Sequence, residues 1–243
     1  MPIVEVIDLK KSYDSFEAVK GINFNIEEGE IFGLIGPNGA GKTTTLRIIS
    51  TLLKPTAGII KILDYDIVRE SDKVRKIISY LPEDAGAYKN FTGIDYLVFI
   101  ARFFAKGVKM KEIVNRGVEI ANLGDRINDK VDTYSKGMIR RLLVARTLMI
   151  SPKLAILDEP TSGLDVLNAQ EVRKIIKDST RHGITVLLSS HNMLEVEFLC
   201  DRIALINNGK IVEMGSPKEL IEKYNCRNIE EVFTEVIKCS GTF

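Results

Sequence analysis

Residues 36–43 read Gly36-Pro37-Asn38-Gly39-Ala40-Gly41-Lys42-Thr43 and match the pattern G-x-x-x-x-G-K-[ST] at each specified position. In this pattern the backbone N–H groups of the loop surround phosphates, the lysine reaches the outer phosphates, and the final hydroxyl binds magnesium. The loop follows the apolar segment 31–35, predicted as a strand, and opens a helix predicted over about 42–52. Because the motif requires a strand before it and a helix after it, the sequence predicts a nucleoside triphosphate site here.

Two carboxylates follow a second apolar segment, 154–157, which is predicted as a buried strand. The strand would deliver Asp158 and Glu159 to the edge of the sheet where the glycine-rich loop also lies. There Asp158 suits a magnesium ion, held directly or through water, and Glu159 suits a general base that activates the attacking water. The alternative is that both are turn carboxylates that cap the next helix.

A second anion site is predicted at the start of the helix over 138–150. The residues there are Tyr134-Ser135-Lys136-Gly137-Met138, in which Ser135 offers a helix cap and Gly137 leaves backbone N–H groups accessible. The positive end of the helix dipole favours phosphate at this point. Because the site has no magnesium ligands of its own, we expect it to complete the nucleotide site of another subunit, which a capping role for Ser135 does not exclude.

The composition is that of a globular protein. The 243 residues are 45% apolar and 28% charged, with a formal net charge of +1. A chain of this length buries a sizeable core, and the near-zero charge gives no electrostatic case for a general nucleic-acid binder, so no nucleic-acid partner is expected. The cysteines lack paired spacing, which fits a reducing cytosol better than a disulfide framework: Cys200, Cys226 and Cys239.

Two kinds of hydrophobic pattern divide the chain. Strand-like segments, the first two at 3–9 and 22–26, alternate with helical ones, whereas 95–150 has apolar residues at helical spacing throughout. We predict an α/β fold with a P-loop core, a mostly parallel sheet, an N-terminal antiparallel β region and an inserted helical subdomain. One domain, 1–243, would contain the core with its β subdomain (1–90 and 151–215), the helical subdomain (91–150) and a C-terminal helical tail (216–243).

These motifs resemble the nucleotide-binding subunits of ABC transporters over nearly the whole chain, from Tyr13 to 228–233. The segments 36–43 and 154–158 correspond to the Walker A and Walker B motifs, which alone indicate only a P-loop ATPase. The features that make the resemblance specific are Ser135-Lys136-Gly137, Ser162-Gly163-Leu164-Asp165 and Ser189-Ser190-His191. The resemblance implies a P-loop ATPase core with ATP and Mg²⁺ as cofactors, and nucleotide contacts by Gly36, Pro37, Asn38, Gly39, Ala40, Gly41, Lys42, Thr43 and Thr44.

The resemblance also implies partners. Two ATPase subunits, as a homodimer or with a second such subunit, would pair head-to-tail, each Walker A motif facing Ser135 and Gly137 of the partner subunit. Separate transmembrane permease subunits would hold the pair at the cytoplasmic face of the cell membrane. The chain itself is not expected to span the membrane, because its most apolar helical segment, 94–105, contains Asp95 and Arg102 and is shorter than the roughly 20 residues required.

Further side chains receive roles from the resemblance. Tyr13 would stack on adenine, with a plain strand-edge tyrosine as the alternative. His191 follows an apolar strand and would contact the γ-phosphate or the attacking water, although a lone histidine is more often structural. Asp165 would contact the Walker A motif of the partner or simply begin a helix. Glu83 occupies the position of a glutamine in the catalytic site, where it keeps an oxygen that can approach magnesium but lacks the amide donor.

Two departures from the commonest family pattern narrow the resemblance. The signature reads Tyr134-Ser135-Lys136-Gly137-Met138 where Leu-Ser-Gly-Gly-Gln is commonest, and Glu83 replaces the usual glutamine. Both variants are similar to those in subunits of ABC-2-type exporters. The chain is therefore predicted to power export through ATP-driven dimerisation and hydrolysis, coupled to separate transmembrane subunits.

Two other functional classes are the alternatives. A soluble ABC ATPase would act in DNA repair, in chromosome organisation or on ribosomes. Against it, 43–135 has no sustained heptads for a coiled coil, and the chain has one cassette where ribosome-acting versions have two. A P-loop kinase or GTPase is disfavoured by the signature Ser135-Lys136-Gly137.

The segment 84–104 is predicted to carry the docking groove for the membrane partner. It is richer in aromatic residues than the core of such a subdomain needs: Tyr88, Phe91, Tyr96, Phe99, Phe103 and Phe104. Tyr88 and Phe91 lie in a turn-like stretch, where exposed aromatic residues mark binding surfaces. The other phenylalanines are expected for the most part to pack internally.

Overall fold

The computed structural model describes residues 2–239, except for the side chains of Glu195 and Cys239. Its strands are β1 (Pro2–Tyr13), β2 (Phe16–Glu27), β3 (Ile31–Ile35), β4 (Ala57–Ile62), β5 (Tyr65–Asp66), β6 (Ile78–Leu81), β7 (Leu154–Asp158), β8 (Thr185–Ser190), β9 (Arg202–Asn207) and β10 (Lys210–Gly215). Its helices are α1 (Lys42–Ile49), α2 (Ser71–Val74), α3 (Gly93–Ala101), α4 (Gly107–Ala121), α5 (Lys136–Leu148), α6 (Val166–Arg181), α7 (Met193–Leu199), α8 (Pro217–Tyr224) and α9 (Ile229–Cys239).

The central sheet is mostly parallel, as predicted. Its strand order is β10-β9-β3-β8-β7-β6, and every neighbouring pair except β9 and β10 runs parallel. All residues of β3, β7 and β8 are buried. Burial on both faces explains why these strands are almost continuous apolar runs. Because parallel strands share a direction, the loops that follow β3, β7 and β8 meet at one edge of the sheet.

Different layers cover the two faces of this sheet. On β3, Ile31 and Ile35 pack into the core shared with the helices, whereas Phe32 and Leu34 pack into the core shared with the N-terminal β region. Phe32 stacks on Phe24 of β2, with the ring centroids 5.3 Å apart. Strand β3, which leads into the glycine-rich loop, is therefore held from both sides.

The N-terminal β region is an antiparallel sheet of order β2-β1-β4-β5, which confirms that part of the fold. The prediction of short strands at 3–9 and 22–26 is wrong in extent, because β1 and β2 each run over 12 residues. The polar stretch Lys10-Lys11-Ser12 has no apolar alternation, yet its pairing with β2 continues to Tyr13, opposite Phe16. Backbone hydrogen bonding thus extends a strand past its hydrophobic pattern where side chains can face solvent.

Helices α3, α4 and α5 lie between β6 and β7 in the chain, as the predicted insertion requires. Thr92 caps α3 by accepting a hydrogen bond from the N–H of Asp95, and Ser135 caps α5 by accepting one from the N–H of Met138. Their apolar faces pack into the core that covers one face of the central sheet. The predicted division of the chain into subdomains at 90/91 and 150/151 stays a prediction.

The C-terminal tail folds back on the central sheet. Ser216 and Glu219 form a capping box at the start of α8. Glu213 of β10 accepts hydrogen bonds from the ammonium of Lys223 and the hydroxyl of Tyr224, which attaches α8 to the sheet edge. The two predicted tail helices are thus present, and 240–243 lie outside the described residues. Within 2–239, no helix has the length and apolarity needed to cross a bilayer.

Candidate active site

The glycine-rich loop connects β3 to α1 at the carboxyl edge of the central sheet. A Cβ atom at position 36 would lie 2.1 Å from the carbonyl oxygen of Ile206, so only glycine fits there. Gly41 has a φ of +105°, which favours glycine, and it gives α1 no side-chain cap. The first N–H groups of α1 are therefore not taken by a capping side chain. This is the arrangement that binds phosphate at a helix N-terminus.

Lys42 begins α1 and points back into its own loop, with only 6% of the residue exposed. Its ammonium donates hydrogen bonds to the carbonyl oxygens of Gly36 at 2.7 Å and Pro37 at 3.2 Å. The same ammonium lies 3.5 Å from Oε1 of Glu159. A buried cation is tolerated when it is paired and hydrogen-bonded, and these acceptors meet that condition. Lys42 thus stands between the loop and the predicted general base.

The predicted magnesium ligands Thr43 and Asp158 are in contact. The hydroxyl of Thr43 donates to Oδ1 of Asp158 at 3.2 Å, and Asp158 is 1% exposed. Magnesium prefers oxygen ligands and usually binds through one or two carboxylates together with substrate phosphates and water. One carboxylate and one hydroxyl beside a loop that suits phosphate match this preference, so the residues fit the ion.

Glu159 follows β7 with its backbone in the left-handed region, at a φ of +48°. Its side chain is 6% exposed, and Oε2 lies 2.8 Å from Nδ1 of His191 and accepts from the His191 backbone N–H at 3.3 Å. The predicted contact of His191 with phosphate or water stays a prediction. The alternative that Asp158 and Glu159 cap the next helix is wrong, because the N-cap of α6 is Asp165.

A cavity of about 220 Å³ lies beside Glu159 and His191. Its other walls come from Thr161 to Leu164 and from the start of α6. One water molecule occupies roughly 30 Å³ in the liquid, so the cavity has room for several. Although Glu159 is buried, the residue therefore borders space that a water molecule can enter.

Glu83 lies in the loop after β6, with its side chain exposed. Its carbonyl oxygen accepts a hydrogen bond from Nη2 of Arg140 at 3.2 Å, which ties this loop to α5. Arg140 is 8% exposed, and burial lowers the pKa of its guanidinium against the opposing effect of Glu83 and Asp158. In residues 2–239 the Glu83 carboxylate makes no hydrogen bond or ion pair with the site. Its catalytic and magnesium roles stay predictions.

The second anion site is built at the start of α5, where Ser135 Oγ accepts from the N–H of Met138 at 3.2 Å. A Cβ at Gly137 would lie 2.1 Å from the side chain of Asn168. Asp165 accepts from the backbone N–H of Asn168 at 3.0 Å and from its side-chain amide at 2.6 Å, and these hydrogen bonds lower the pKa of Asp165. Ser135 and Asp165 both act as helix caps here, and their predicted contacts with a partner stay predictions.

Tyr13 ends β1 opposite Phe16 of β2. It is 43% exposed, and the ammonium of Lys11 lies 5.1 Å from its ring centroid. Part of the ring is therefore accessible for stacking. Adenine stacking and a plain strand-edge position both remain compatible with this geometry.

Sequence reasoning gave no role to two residues that contact the predicted magnesium ligand. Ser189, at the carboxyl end of β8, donates to Oδ1 of Asp158 at 2.5 Å. The hydroxyl of Tyr80, on β6, lies 3.4 Å from Oδ2 of Asp158. A serine directly after the buried apolar run 186–188 was the available signal for the first. The second has no comparable signal, because its contact depends on β6 lying beside β7.

Comparisons with known proteins identify the family of this chain. The family model described as ABC transporter matches residues 19–162, which is more than half of the chain. The uncharacterized ABC transporter ATP-binding protein YhcH of Bacillus subtilis (strain 168) is 41% identical over 89% of this chain and 71% of its own length. The bacitracin transport ATP-binding protein BcrA of Bacillus licheniformis is 36% identical over 94% of this chain and 74% of its own length.

A solved structure is similar as well. It is the dimeric post-hydrolysis state of the ATP-binding cassette MJ0796 bound to ADP and Pi, 26% identical, with a TM-score of 0.77 over 88% of this chain and 98% of that chain. The resemblance that the motifs indicate is confirmed. The chain belongs to the ABC transporter family as a subunit that binds and hydrolyses ATP.

Proposed function

We propose that the chain is the ATPase subunit of an ABC-2-type exporter, located at the cytoplasmic face of the cell membrane. Two such subunits would pair around ATP and drive separate transmembrane subunits. The observation that supports the catalytic part is the pair of contacts that Glu159 makes with Lys42 and His191 at the carboxyl edge of the sheet. The transport part rests on relatives such as BcrA, and the export direction rests on Glu83 and the signature residues, which resemble those of exporters.

ATP hydrolysis needs neutralised phosphates, a positioned water and a group that accepts the proton of that water. Lys42 would bind the outer phosphates while the N–H groups of its loop surround them. Thr43 and Asp158 would hold Mg²⁺, which supplies positive charge at the phosphate oxygens. Glu159 would take the proton of the attacking water from the adjoining cavity, with its carboxylate held by His191.

The ion pair between Lys42 and Glu159 offers a link between nucleotide binding and base activation. The two side chains are each 6% exposed and lie 3.5 Å apart. A triphosphate brings several negative charges to the same ammonium and competes with Glu159 for it. The carboxylate oxygen that faces Lys42 then becomes available to accept a hydrogen bond from water.

The export proposal is tested by expressing the chain together with any membrane protein that is encoded beside it. We expect the two to co-purify, and vesicles that contain both to move a cargo outward only when ATP is supplied. Failure to associate with any membrane protein, combined with ATPase stimulation by DNA or ribosomes, would favour a soluble ABC ATPase instead. The names of the relatives favour transport over that alternative.

Replacing Tyr13 with alanine is expected to weaken nucleotide binding by about 5- to 150-fold, the equivalent of the roughly 1–3 kcal/mol that a stacked base contributes. Because stacking tolerates base identity, the affinities for ATP and GTP should fall together. Fluorescent-nucleotide titration measures both. Phe16→Ala is the matched control, since Phe16 is the strand partner of Tyr13 and is 62% exposed. An equal loss of nucleotide affinity in Tyr13→Ala and Phe16→Ala would show that the loss comes from a disturbed hairpin and not from lost stacking on adenine.

The exposure of the aromatic side chains in 84–104 differs from the prediction. Phe103 and Phe104 do not pack internally but are 72% and 54% exposed, because α3 ends at Ala101 and they lie beyond it. Phe91 packs partly against the helical core instead of standing free in solvent. Tyr88 is 56% exposed, as predicted.

An aromatic surface, defined here as Tyr88, Phe91, Phe99 and Phe103, would receive the membrane partner. The ring centroid of Tyr88 lies 5.5 Å from those of Phe91 and Phe99, and Phe103 lies 5.4 Å from Phe99. A cavity of about 350 Å³ opens among the first three of these rings. Tyr88 and Phe103 are exposed, whereas Phe91 and Phe99 are half-buried. Exposed aromatic residues in contact with one another beside a cavity mark binding surfaces. The loop of Glu83 precedes this surface in the chain, so movement there would reach the partner.

Combining Tyr88→Ala with Phe103→Ala is expected to weaken partner binding by about 30-fold or more, since truncating an interface hot spot costs about 2 kcal/mol or more. The ATPase activity of the isolated subunit should stay near normal, because neither side chain touches the candidate active site. Co-purification and transport measure the effect. Phe198→Ala is the matched control, since Phe198 is 75% exposed but lies on α7. Undiminished partner binding in the double variant would place the docking site elsewhere.

A further inference from the structure

The Asp158 carboxylate is held from three elements. Oδ1 accepts hydrogen bonds from Ser189 at 2.5 Å and from Thr43 at 3.2 Å, and Oδ2 lies 3.4 Å from the hydroxyl of Tyr80. Asp158 is 1% exposed and Ser189 is fully buried. We propose that Ser189 and Tyr80 are positioning residues that hold Asp158 in the orientation in which it binds magnesium. This inference rests on the magnesium role of Asp158 in the proposed function.

The neighbours of Ser189 fix the direction of its hydrogen bonds. The backbone N–H of Glu159 lies 3.0 Å from Oγ and can only donate, so the serine oxygen accepts. An ionised carboxylate can only accept, so the single hydroxyl proton points to Oδ1 of Asp158. Asp158 and Ser189 are register partners on the adjacent parallel strands β7 and β8. One hydroxyl therefore links the expected magnesium ligand to the backbone of the expected general base.

The hydrogen bond between Ser189 and the Glu159 backbone also fixes the conformation of Glu159. Its φ of +48° is one that non-glycine residues rarely adopt. In this conformation the N–H of Glu159 points at Ser189, while its side chain points toward Lys42 and His191. Ser189 thus holds the Asp158 carboxylate and the Glu159 backbone in fixed relation to each other.

Tyr80 holds the carboxylate oxygen that Ser189 does not contact. It lies on β6, directly beside Ile156 of β7. The Tyr80 hydroxyl can donate, and Oδ2 of the Asp158 carboxylate can only accept, so its proton points to that oxygen. With both oxygens held, rotation of the carboxylate is restricted, which is the preorganisation that a metal ligand requires.

The test measures Mn²⁺ affinity by electron paramagnetic resonance with ADP present, for Ser189→Ala and Tyr80→Phe in the full chain. We expect Ser189→Ala to lower the affinity by roughly 10- to 100-fold, the range typical when the hydrogen-bond partner of a metal ligand is removed. The effect of Tyr80→Phe should be smaller, because its contact is longer, at 3.4 Å. ADP affinity in EDTA should not change, since neither hydroxyl contacts the glycine-rich loop.

Ser79→Ala is the matched control. Ser79 precedes Tyr80 on β6, and its buried hydroxyl has no hydrogen-bond partner within the described part of the chain. Normal Mn²⁺ affinity in both Ser189→Ala and Tyr80→Phe overturns the inference. A loss of ADP affinity in EDTA as large as the loss of Mn²⁺ affinity also overturns it, because it would indicate general structural damage. If the natural chain bound neither ADP nor Mn²⁺ with ADP, the proposed function itself would fail.

Discussion

A Glu159→Gln variant is expected to hydrolyse ATP about 10²- to 10⁴-fold more slowly than the natural chain while still binding ATP, because general base catalysis contributes a factor of that order. The amide cannot take a proton from water. It keeps the size of the carboxylate and an oxygen that can face His191, whose Nδ1 lies 2.8 Å from Oε2. The loop that surrounds the phosphates is unchanged. Turnover at saturating ATP and Mg²⁺ should therefore fall much further than nucleotide affinity.

Glu30→Gln is the matched control for this variant. The Glu30 side chain is 10% exposed and pairs with Arg202 at 3.1 Å, and burial raises its pKa. It lies at the amino end of β3, opposite to the candidate active site, so its loss should affect stability but not turnover. Near-normal hydrolysis by Glu159→Gln would show that Glu159 is not the general base.

Motif position and strand direction are enough to place the candidate site, but not its contacts. Strands β3, β7 and β8 run parallel, so residues that follow them must meet at one edge, and the structure brings Lys42, Glu159 and His191 together there. The ion pair between Lys42 and Glu159 and the hydrogen bond from Ser189 to Asp158 depend on strand register and side-chain rotamers. Neither quantity is encoded in a local pattern, so the sequence could not predict them.

Strands β6 and β10, which the sequence analysis did not predict, carry little hydrophobic signal. Strand β6 has only four residues and buries Ile78 and Leu81 alone, a pattern too short to distinguish from a loop. Strand β10 has no fully buried residue. These strands form because the backbone of a neighbouring strand offers hydrogen-bonding partners. Their formation therefore depends on tertiary structure and not on the local sequence pattern. Strands β3, β7 and β8 were predictable because burial on both faces makes them continuously apolar.

With ATP and Mg²⁺ added, the Glu159→Gln variant is expected to change from monomer to dimer, and Ser135→Ala in that background is expected to weaken the dimer by about 10²- to 10⁴-fold. The reason is that each dimer would contain two signature sites. Losing one hydrogen bond to a charged phosphate costs about 1.5–3 kcal/mol, and the cost counts once for each site. Analytical ultracentrifugation over a range of protein concentrations measures the dimer affinity of each variant.

Ser216→Ala in the same background separates this effect from the loss of a helix cap. Ser135 and Ser216 are both N-cap serines whose Oγ accepts a backbone N–H at 3.2 Å, from Met138 and Glu219 respectively. Each alanine variant should lose about 0.5–2 kcal/mol of capping free energy. Only Ser135, at the start of α5 beside Gly137, is expected to face the ATP of the partner subunit. Equal dimer affinities in the two alanine variants would reduce Ser135 to a cap, and the absence of any ATP-dependent dimer would contradict the head-to-tail pairing itself.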